Sequence, residues 1–302
     1  MKRVLVANRG EIAVRVVRAC RELGLESVVA VSEADRGSLA ARLADRAVCI
    51  GPAKPSASYL NRDALLATAL GTRADAVHPG YGFLAENAAF AAACEARGLT
   101  FVGPRSETVQ AMGNKLAARE AARRSGVPLV PGSDSVPTAA AARAVADGIG
   151  YPVLLKAAAG GGGRGIRIVH GPADLEDAFR GAAAEAAAAF GDPTLYLERY
   201  VTTGRHIEVQ VVGDAAGAVV HFGERDCSLQ RRYQKVLEEA PAAAVPEHAR
   251  EAIRGSAVRL AAGIGYRNAG TVEFLYDEER DEHYFLEMNT RIQVEHPVTE
   301  MV

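Results

Sequence analysis

The amino-acid sequence predicts an α/β fold in which a doubly wound parallel sheet is followed by a second, α+β domain. Short apolar runs alternate with amphipathic helical patterns through residues 1–102, and strands that alternate with helices form parallel sheets. From residue 151 onward, strand patterns follow one another with brief polar connections, which is typical of antiparallel hairpins. The change of pattern therefore indicates two domains of different construction.

The first domain begins with a strand pattern at residues 4–7. An amphipathic helix follows and ends at Gly24, with its apolar face at Ile12, Val16, Ala19 and Leu23. Further strands are predicted at 27–31, 48–50, 76–78 and 100–102, and helices at 63–70 and 87–97. The turn at residues 8–10 lacks the dinucleotide glycine fingerprint, so this sheet need not bind such a cofactor.

The second domain is expected to start near a helix that Ser106 caps and that runs to Arg124, with Gly126 ending it. We place the boundary between residues 114 and 115. Strands are predicted at 153–156, 166–169, 194–198, 206–212 and 218–222, and helices at 175–190 and 247–262. The alanine-rich tracts at 139–146 and 182–189 favour helix, because alanine costs least there. A final hairpin carries Glu273 and Glu287.

Composition excludes several classes of protein. The 302 residues suit about two domains, and a net charge of −2 gives no basic footprint for nucleic acid or an anionic membrane surface. The four cysteines are scattered without a C-x-x-C pair, and neither a signal-peptide core nor a membrane-length apolar run is present. We therefore expect a cytoplasmic protein that binds neither nucleic acid nor membrane.

The C-terminal segment, residues 287–302, has a polar residue at every second position. An extended conformation would point one set of side chains to the same face; the set is Glu287, Asn289, Arg291, Gln293 and Glu295. The hydrophilic stretch 277–283 predicts a chain reversal, and pairing about its centre sets Glu273 opposite Glu287. Directly opposed residues share a sheet face.

This polar face has the chemistry of a metal and oxyanion site. Carboxylate and amide oxygens suit Mg²⁺, which takes its other oxygens from water and substrate phosphates, and an arginine offers a planar fork to a small oxyanion. The alternative is a solvated sheet face with surface ion pairs. The opposed pair Glu273 and Glu287 favours the metal site, because facing carboxylates repel unless a cation lies between them.

The run Gly160, Gly161, Gly162, Gly163, Arg164 and Gly165 matches G-x-G-x-x-G. A dinucleotide site needs these glycines to open a helix, whereas a β-branched strand pattern starts at Ile166. We therefore predict a flexible lid whose backbone N–H groups close over phosphates, with a disordered turn as the alternative. Absence of G-x-x-x-x-G-K-[ST] excludes a P-loop.

Lysine usage supports a phosphate site. The basic residues number 35, and nearly all are arginine, so a lysine within a motif suggests that a compact ammonium group is needed there. Lys115 lies in the connecting helix and Lys156 ends the strand before the glycine run. The alternative for each is an ordinary solvated surface lysine.

Several segments together carry a family resemblance. The chain resembles the biotin carboxylase subunit or domain of biotin-dependent acyl-CoA carboxylases, within the ATP-grasp superfamily. The matching segments are Ala7-Asn-Arg-Gly-Glu-Ile-Ala13, His78-Pro-Gly-Tyr-Gly-Phe-Leu-Ala-Glu-Asn87, the glycine run, residues 224–235 and residues 287–302. This resemblance implies a Rossmann-like pre-ATP-grasp domain at 1–114 and an ATP-grasp domain at 115–302, whose glycine-rich lid spans about 131–203.

The resemblance also implies the reaction. ATP and bicarbonate would form carboxyphosphate, whose CO₂ is passed to N1 of biotin on a carrier. The implied cofactors are ATP and Mg²⁺ or Mn²⁺. The implied partners are a biotin carboxyl carrier protein or domain, a carboxyltransferase subunit, and a second copy in a homodimer of the full-length form.

Site residues follow position by position from the resemblance. For ATP they are Lys115, Lys156, the run Gly160–Gly165, Glu198, Val201, His206, Gln230, Leu275 and Leu286. For the metal they are Glu273, Glu287 and Asn289. For bicarbonate they are Lys235, Arg291, Gln293, the Val294 backbone and Glu295, with Glu295 as general base and Lys235 and Arg291 as catalytic cations.

The chain departs from the family pattern in three respects. Ala159 replaces a glycine that is frequent there, and Tyr233 replaces a histidine. The chain stops at Val302 where the family continues, so we expect an incomplete ATP-grasp domain with low activity. The alternatives are another ATP-grasp ligase of the carbamoyl phosphate synthase kind, or an ATP-binding fragment without turnover.

Overall fold

The computed structural model describes residues 1–159, 165–232 and 234–302. Its N-terminal part is a parallel sheet covered by helices. The strands are β1 (Arg3–Val6), β2 (Glu26–Ser32), β3 (Arg46–Gly51), β4 (Ala76–His78) and β5 (Thr100–Phe101). The helices are α1 (Gly10–Glu22), α2 (Leu39–Leu43), α3 (Arg62–Gly71), α4 (Ala88–Glu95) and α5 (Ser106–Gly113).

Both faces of this sheet are buried, as a doubly wound fold requires. The strand order is β3-β2-β1-β4-β5. Successive residues of β1 alternate between the two cores: Leu5 packs with the α3 and α4 side, and Val4 and Val6 pack with α1. Where the strand order reverses, between β1 and β4, the Asn8 amide donates to the Pro79 carbonyl at 2.6 Å and closes the crevice.

The helix predicted from Ser106 to Arg124 is in fact two helices, so that prediction was wrong in its continuity. Helix α5 ends at Gly113, and α6 (Lys115–Arg124) begins after Asn114, whose side chain accepts a hydrogen bond from the Ala117 amide. This N-cap satisfies backbone donors at the start of α6. Ser106 is the first residue of α5, and its hydroxyl bonds Glu95 instead of capping the helix.

A second body is built on an antiparallel sheet whose strands follow the order β10-β9-β13-β14. These strands are β9 (Gly204–Gly213), β10 (Val219–Asp226), β13 (Asn268–Asp277) and β14 (Glu282–Asn289). Helix α6 and helix α9 (Glu247–Gly263) pack on one face and form the largest apolar cluster, around Ile253, Leu260 and Phe274. The other face carries the polar side chains, so the sheet separates a core from a site.

Along the sequence, a smaller antiparallel sheet comes after the parallel sheet and before the four-stranded antiparallel sheet. It comprises β6 (Val153–Ala157), β7 (Ile166–Val169) and β8 (Leu195–Arg199) in the order β7-β6-β8. Helices α7 (Ala139–Ile149) and α8 (Leu175–Phe190) pack on it through the predicted alanine tracts. The short hairpin β11 (Gln230–Arg231) and β12 (Gln234–Lys235) follows β10.

The C-terminal segment is not extended throughout, so the expected face from Glu287 to Glu295 was wrong beyond Asn289. Strand β14 ends at Asn289. After a loop, helix α10 (His296–Glu300) begins close to the last residue, Val302. Pro297 lies in the first turn of α10, where its missing N–H costs no helical hydrogen bond.

The predicted α/β fold class is otherwise confirmed. None of the helices described is both long and apolar enough to span a bilayer.

Candidate active site

A cavity of about 570 Å³ opens between the small antiparallel sheet and the polar face of β13 and β14. Most of the polar residues singled out from the sequence line it: Lys115, Lys156, His206, Gln230, Lys235, Glu273, Glu287, Asn289, Arg291, Gln293 and Glu295, with Leu286 and Val294. Ile166, Tyr196, Gln234 and Glu238 complete the lining. The loop after Asn289 therefore brings Arg291, Gln293 and Glu295 to the same cavity as Glu273 and Glu287.

Lys235 is the centre of charge in this cavity. Its Nζ bonds Glu208, lies 3.1 Å from Glu273 Oε1 and donates to Glu295 Oε1 at 2.6 Å. Burial by itself lowers the pKa of Lys235, but the three carboxylates outweigh burial and raise it. The ammonium group is therefore charged at neutral pH, and it holds the Glu295 carboxylate in place.

The predicted pairing of Glu273 with Glu287 is confirmed: they are directly opposed in the β13–β14 ladder, beside a bulge at Phe274. Burial and the charge of Glu273 raise the pKa of Glu287. Burial also acts to raise the pKa of Glu273, but His206 and Lys235 lower it overall. His206 Nε2 lies 3.1 Å from Glu273 Oε2. Two opposed carboxylates, with Glu273 buried and Glu287 half-buried, are a donor set that fits Mg²⁺.

Asn289 and Arg291 extend the site from the end of β14. The Asn289 amide nitrogen donates to Glu273 Oε1 at 2.8 Å, and its oxygen accepts from Arg291 at 3.0 Å. Arg291 also donates through Nε to Glu86 Oε2 at 2.8 Å. Glu86 comes from the N-terminal part of the chain, so it fixes Arg291 across the two bodies. Sequence reasoning missed this contact, although Glu86 lies in the quoted segment 78–87.

The two lysines expected to bind phosphates have different surroundings. Lys156 Nζ bonds Glu198 at 2.5 Å, and the same carboxylate pairs with Arg119. Burial lowers the pKa of Lys156 on its own, but Glu198 raises it overall. Burial lowers the pKa of Lys115, with Glu287 opposing that effect. Arg119 was not anticipated, because it resembles any other arginine of an amphipathic helix.

Of the residues expected around a base, Leu286 lines the cavity, whereas Glu198, Val201 and Leu275 are not part of its lining. A Cβ placed on Gly204 would come within 2.5 Å of Leu275 Cδ1 and 3.3 Å of Val201 Cγ1. Val201 and Leu275 therefore meet over a glycine that must stay small. The Glu198 side chain is engaged by Arg119 and Lys156, and its backbone pairs with Leu154 in the β6–β8 ladder.

Gly165 is the member of the glycine run that the structure describes. It has φ of +71°, and an added Cβ would lie 2.8 Å from the Ala157 Cβ. The Ala157 amide donates to the Gly165 carbonyl at 3.0 Å, which closes the base of the β6–β7 connection. The remaining members, Gly160, Gly161, Gly162, Gly163 and Arg164, lie outside the described residues, as does Tyr233.

Two family models of known proteins match this chain. Residues 1–109 match the family model of the biotin carboxylase N-terminal domain, and residues 114–302 match that of the carbamoyl-phosphate synthase L chain ATP binding domain. The biotin carboxylase of Pseudomonas aeruginosa is 54% identical over 304 residues, which covers 100% of this chain and 67% of that protein. The chain belongs to the biotin carboxylase family.

Solved biotin carboxylase structures agree with this assignment. The beta-gamma-ATP complex of biotin carboxylase from Campylobacter jejuni has a TM-score of 0.95 and 51% identity, covering 100% of this chain and 68% of that one. The biotin carboxylase domain dimer of Hydrogenobacter thermophilus 2-oxoglutarate carboxylase, with MgADP, ADP and bicarbonate, has a TM-score of 0.92 and 51% identity, covering 100% and 66%. This chain spans about two thirds of the length of these biotin carboxylases. Biotin carboxylases are ATP-dependent ligases.

Proposed function

We propose that this chain carries out the ATP- and bicarbonate-dependent carboxylation of biotin. The observation that carries the proposal is that one cavity holds two opposed carboxylates, two lysines for phosphates and a cation-bound third carboxylate, Glu295. Such a site can hold a nucleotide triphosphate, its metal and a small oxyanion next to a base. A P-loop or dinucleotide site would not need a carboxylate base such as Glu295.

Glu295 is the base in this proposal. Burial acts to raise the pKa of Glu295, but the Lys235 contact lowers it overall, so the carboxylate is ionised and able to accept a proton. It takes the proton of bicarbonate, and the resulting carbonate oxygen attacks the γ-phosphorus of ATP while the bond to ADP breaks. The products of this step are ADP and carboxyphosphate. Carboxyphosphate then breaks down to CO₂ and phosphate, the phosphate takes the proton of biotin N1, and N1 bonds the CO₂.

The remaining residues bind and orient. Lys235, Arg291, Gln293 and the Val294 backbone would hold bicarbonate, because they bring cationic and neutral donors to the same end of the cavity as Glu295. Lys115 and Lys156 would contact the phosphates, with the run Gly160–Gly165 above them. Glu273, Glu287 and Asn289 would hold Mg²⁺ or Mn²⁺, which neutralises the transferring phosphoryl oxygens when bound. Glu198, Val201, Leu275 and Leu286 would receive the base, and His206 and Gln230 would contact the ribose and phosphate side of the nucleotide.

The proposal includes a division into domains and a set of partners. The proposed domains are an N-terminal domain at 1–114 and an ATP-grasp domain at 115–302, with a lid at about 131–203. The helix break at Asn114 supports this boundary. A biotin carboxyl carrier and a carboxyltransferase would supply biotin and use carboxybiotin, and the relative crystallised as a dimer supports a homodimer. The scattered cysteines, unpaired within the described residues, support a cytoplasmic location.

The test is ATP cleavage with each substrate added in turn. We expect ADP release that requires bicarbonate and rises with free biotin, while ammonia has no effect. Cleavage stimulated by ammonia would favour the carbamoyl phosphate synthase kind of ligase instead. ATP binding without bicarbonate-dependent cleavage would overturn the proposal for this chain.

A further inference from the structure

We propose that Arg225 is a positioning residue for the bicarbonate end of the cavity, an inference that rests on the proposed function. Arg225 lies on β10, and its side chain is completely buried. It lines none of the cavity, so it cannot touch a substrate directly. Its guanidinium instead donates to Glu208 and Gln293, which in turn contact the cavity residues Lys235 and Glu273.

The contacts of Arg225 reach two strands, a loop and a helix around this end of the site. Its partners are Glu208 Oε1 at 2.6 Å, Gln210 Oε1 at 3.1 Å, Thr271 Oγ1 at 3.4 Å, Gln293 Oε1 at 2.9 Å and Thr299 Oγ1 at 2.6 Å. They belong to β9, β13, the loop after β14 and α10. One side chain therefore ties the sheet to the C-terminal loop and helix.

The first consequence concerns Lys235. Glu208 is fully buried and uses one oxygen for Arg225 and the other for Lys235. A carboxylate held at one oxygen by a fixed guanidinium can place an ammonium group at the other with little freedom. Lys235 in turn holds Glu295 at 2.6 Å. The position of the base therefore depends on Arg225 through two intervening residues.

The second consequence concerns Gln293. Because its Oε1 accepts from Arg225, its Nε2 is directed to Glu273 Oε1, at 3.0 Å. A glutamine that lost this acceptor contact could rotate by half a turn and present oxygen to Glu273. Arg225 thus fixes which end of the Gln293 amide faces the carboxylates.

Lysine could not perform the same role. The planar guanidinium donates from three nitrogens in different directions to partners on separate elements, whereas an ammonium group is a single point with a shorter reach. Arg225→Lys keeps the charge that offsets Glu208 and removes the forked geometry. The variant therefore separates positioning from charge balance.

The chain provides a matched control on the same strand. Glu224, the neighbour of Arg225, points to the opposite face of β10, where Arg250 bonds it at 2.5 Å and Arg254 at 3.0 Å. These arginines fasten α9 to β10 on the side of the apolar core and make no contact with the cavity residues. Arg254→Lys perturbs a partly buried arginine–carboxylate pair without touching the site.

The experiment compares Arg225→Lys and Arg254→Lys by steady-state ATP cleavage, with melting curves to normalise for folded protein. We expect Arg225→Lys to raise the KM for bicarbonate by about 10- to 100-fold, the usual effect of removing a residue that orients site ligands, with the KM for ATP little changed. Arg254→Lys should leave both values near the parental ones. Equal effects of both variants on all constants would overturn the inference and assign Arg225 a structural role only.

A second variant and a structural readout keep the test decisive if Arg225→Lys folds poorly. Thr299→Val removes one partner of Arg225 outside the cavity, and we expect a smaller rise in the same bicarbonate KM. In a crystal structure of Arg225→Lys, we expect one of two changes. Either Lys235 has moved away from Glu295, or the Gln293 amide has moved away from Glu273. Unchanged contacts there would overturn the inference even if activity were lost. A parental protein without bicarbonate-dependent cleavage would instead contradict the proposed function.

Discussion

Glu273 and Glu287 face each other across the β13–β14 ladder, with a bulge in the register immediately beside them. Directly opposed like charges destabilise a sheet, and here Glu273 is buried and Glu287 half-buried. The raised pKa of Glu287, caused by burial and by the charge of Glu273, is the electrostatic consequence. The pair thus lowers the stability of the metal-free protein, and a cation bound between the two carboxylates would remove that repulsion.

Glu287→Gln should have opposite effects with and without metal. In a metal-free buffer we expect a higher melting temperature, because the variant removes a repelling charge. With Mg²⁺ and ATP we expect at least about tenfold weaker binding, roughly 1.4 kcal/mol, because a hard anionic ligand is lost. Calorimetric titration and thermal melting measure the two effects.

Glu279→Gln is the control, since Glu279 is an exposed residue of the turn between the same two strands. It should change neither quantity. An unaltered Mg²⁺-ATP affinity in Glu287→Gln would remove Glu287 from the proposed metal ligands.

Glu295→Gln tests the general base. The amide can still accept from Lys235 but cannot take a proton, so bicarbonate-dependent ATP cleavage should fall by roughly 10² to 10⁴, the usual value of a positioned base. Nucleotide affinity should barely change, because the lost charge lies at the bicarbonate end. Glu300→Gln, a half-exposed carboxylate of α10, is the control. Turnover near the parental rate in Glu295→Gln would assign the base to another group.

The opposition of Glu273 and Glu287 could be predicted from sequence because both residues lie on one hairpin. Alternation indicates which face each side chain takes, and the charged reversal places the two strands side by side. The turn by itself would set Glu273 opposite Leu286, because Phe274 pairs with Phe285; the bulge between Glu273 and Phe274 shifts the register by one residue and brings Glu287 opposite Glu273. The same reasoning extended the alternation past Asn289, where Pro297 and the helix α10 override it.

The contacts that complete the site could not be predicted in this way. Arg291 bonds Glu86, which is 205 residues distant in sequence, and Arg225 bonds Thr299, which is 74 residues distant. Periodicity describes how a segment presents its side chains and carries no information about which distant segment they meet. Arg225 also lies in a charged run, which predicts a solvated face, although its side chain is fully buried.

Arg119→Met should destabilise the fold and weaken ATP binding together. Arg119 and Glu198 are almost completely buried, and removal of one partner of a buried pair leaves an uncompensated charge that costs about 3–5 kcal/mol. We expect the lower end of that range, because Lys156 still offsets Glu198. Lys156 would then be held more tightly by Glu198 and be less free to contact a phosphate.

Arg123→Met is the matched control, one helical turn further along α6. Arg123 is about half exposed and pairs with Glu120 and Asp134 at the surface, where ion pairs contribute about 0–1 kcal/mol. Chemical unfolding and ATP titration of the two variants give the comparison. Equal loss of stability in both would contradict the assigned importance of the buried pair.

Gly165→Ala should destabilise the β6–β7 connection, because the backbone there has φ of +71° and the added methyl would lie 2.8 Å from the Ala157 Cβ. Left-handed backbone costs a non-glycine residue of order 1–3 kcal/mol, and β6 would also have to move away from β7. Gly171→Ala, where nothing lies within 4 Å of an added Cβ, should stay within about 0.5 kcal/mol of the parental protein. Hydrogen exchange locates the effect: faster exchange of the Ala157 amide, which bonds the Gly165 carbonyl, is expected in Gly165→Ala alone. Unchanged exchange at Ala157 would mean that the close approach of these two residues contributes nothing to the stability of the β6–β7 connection.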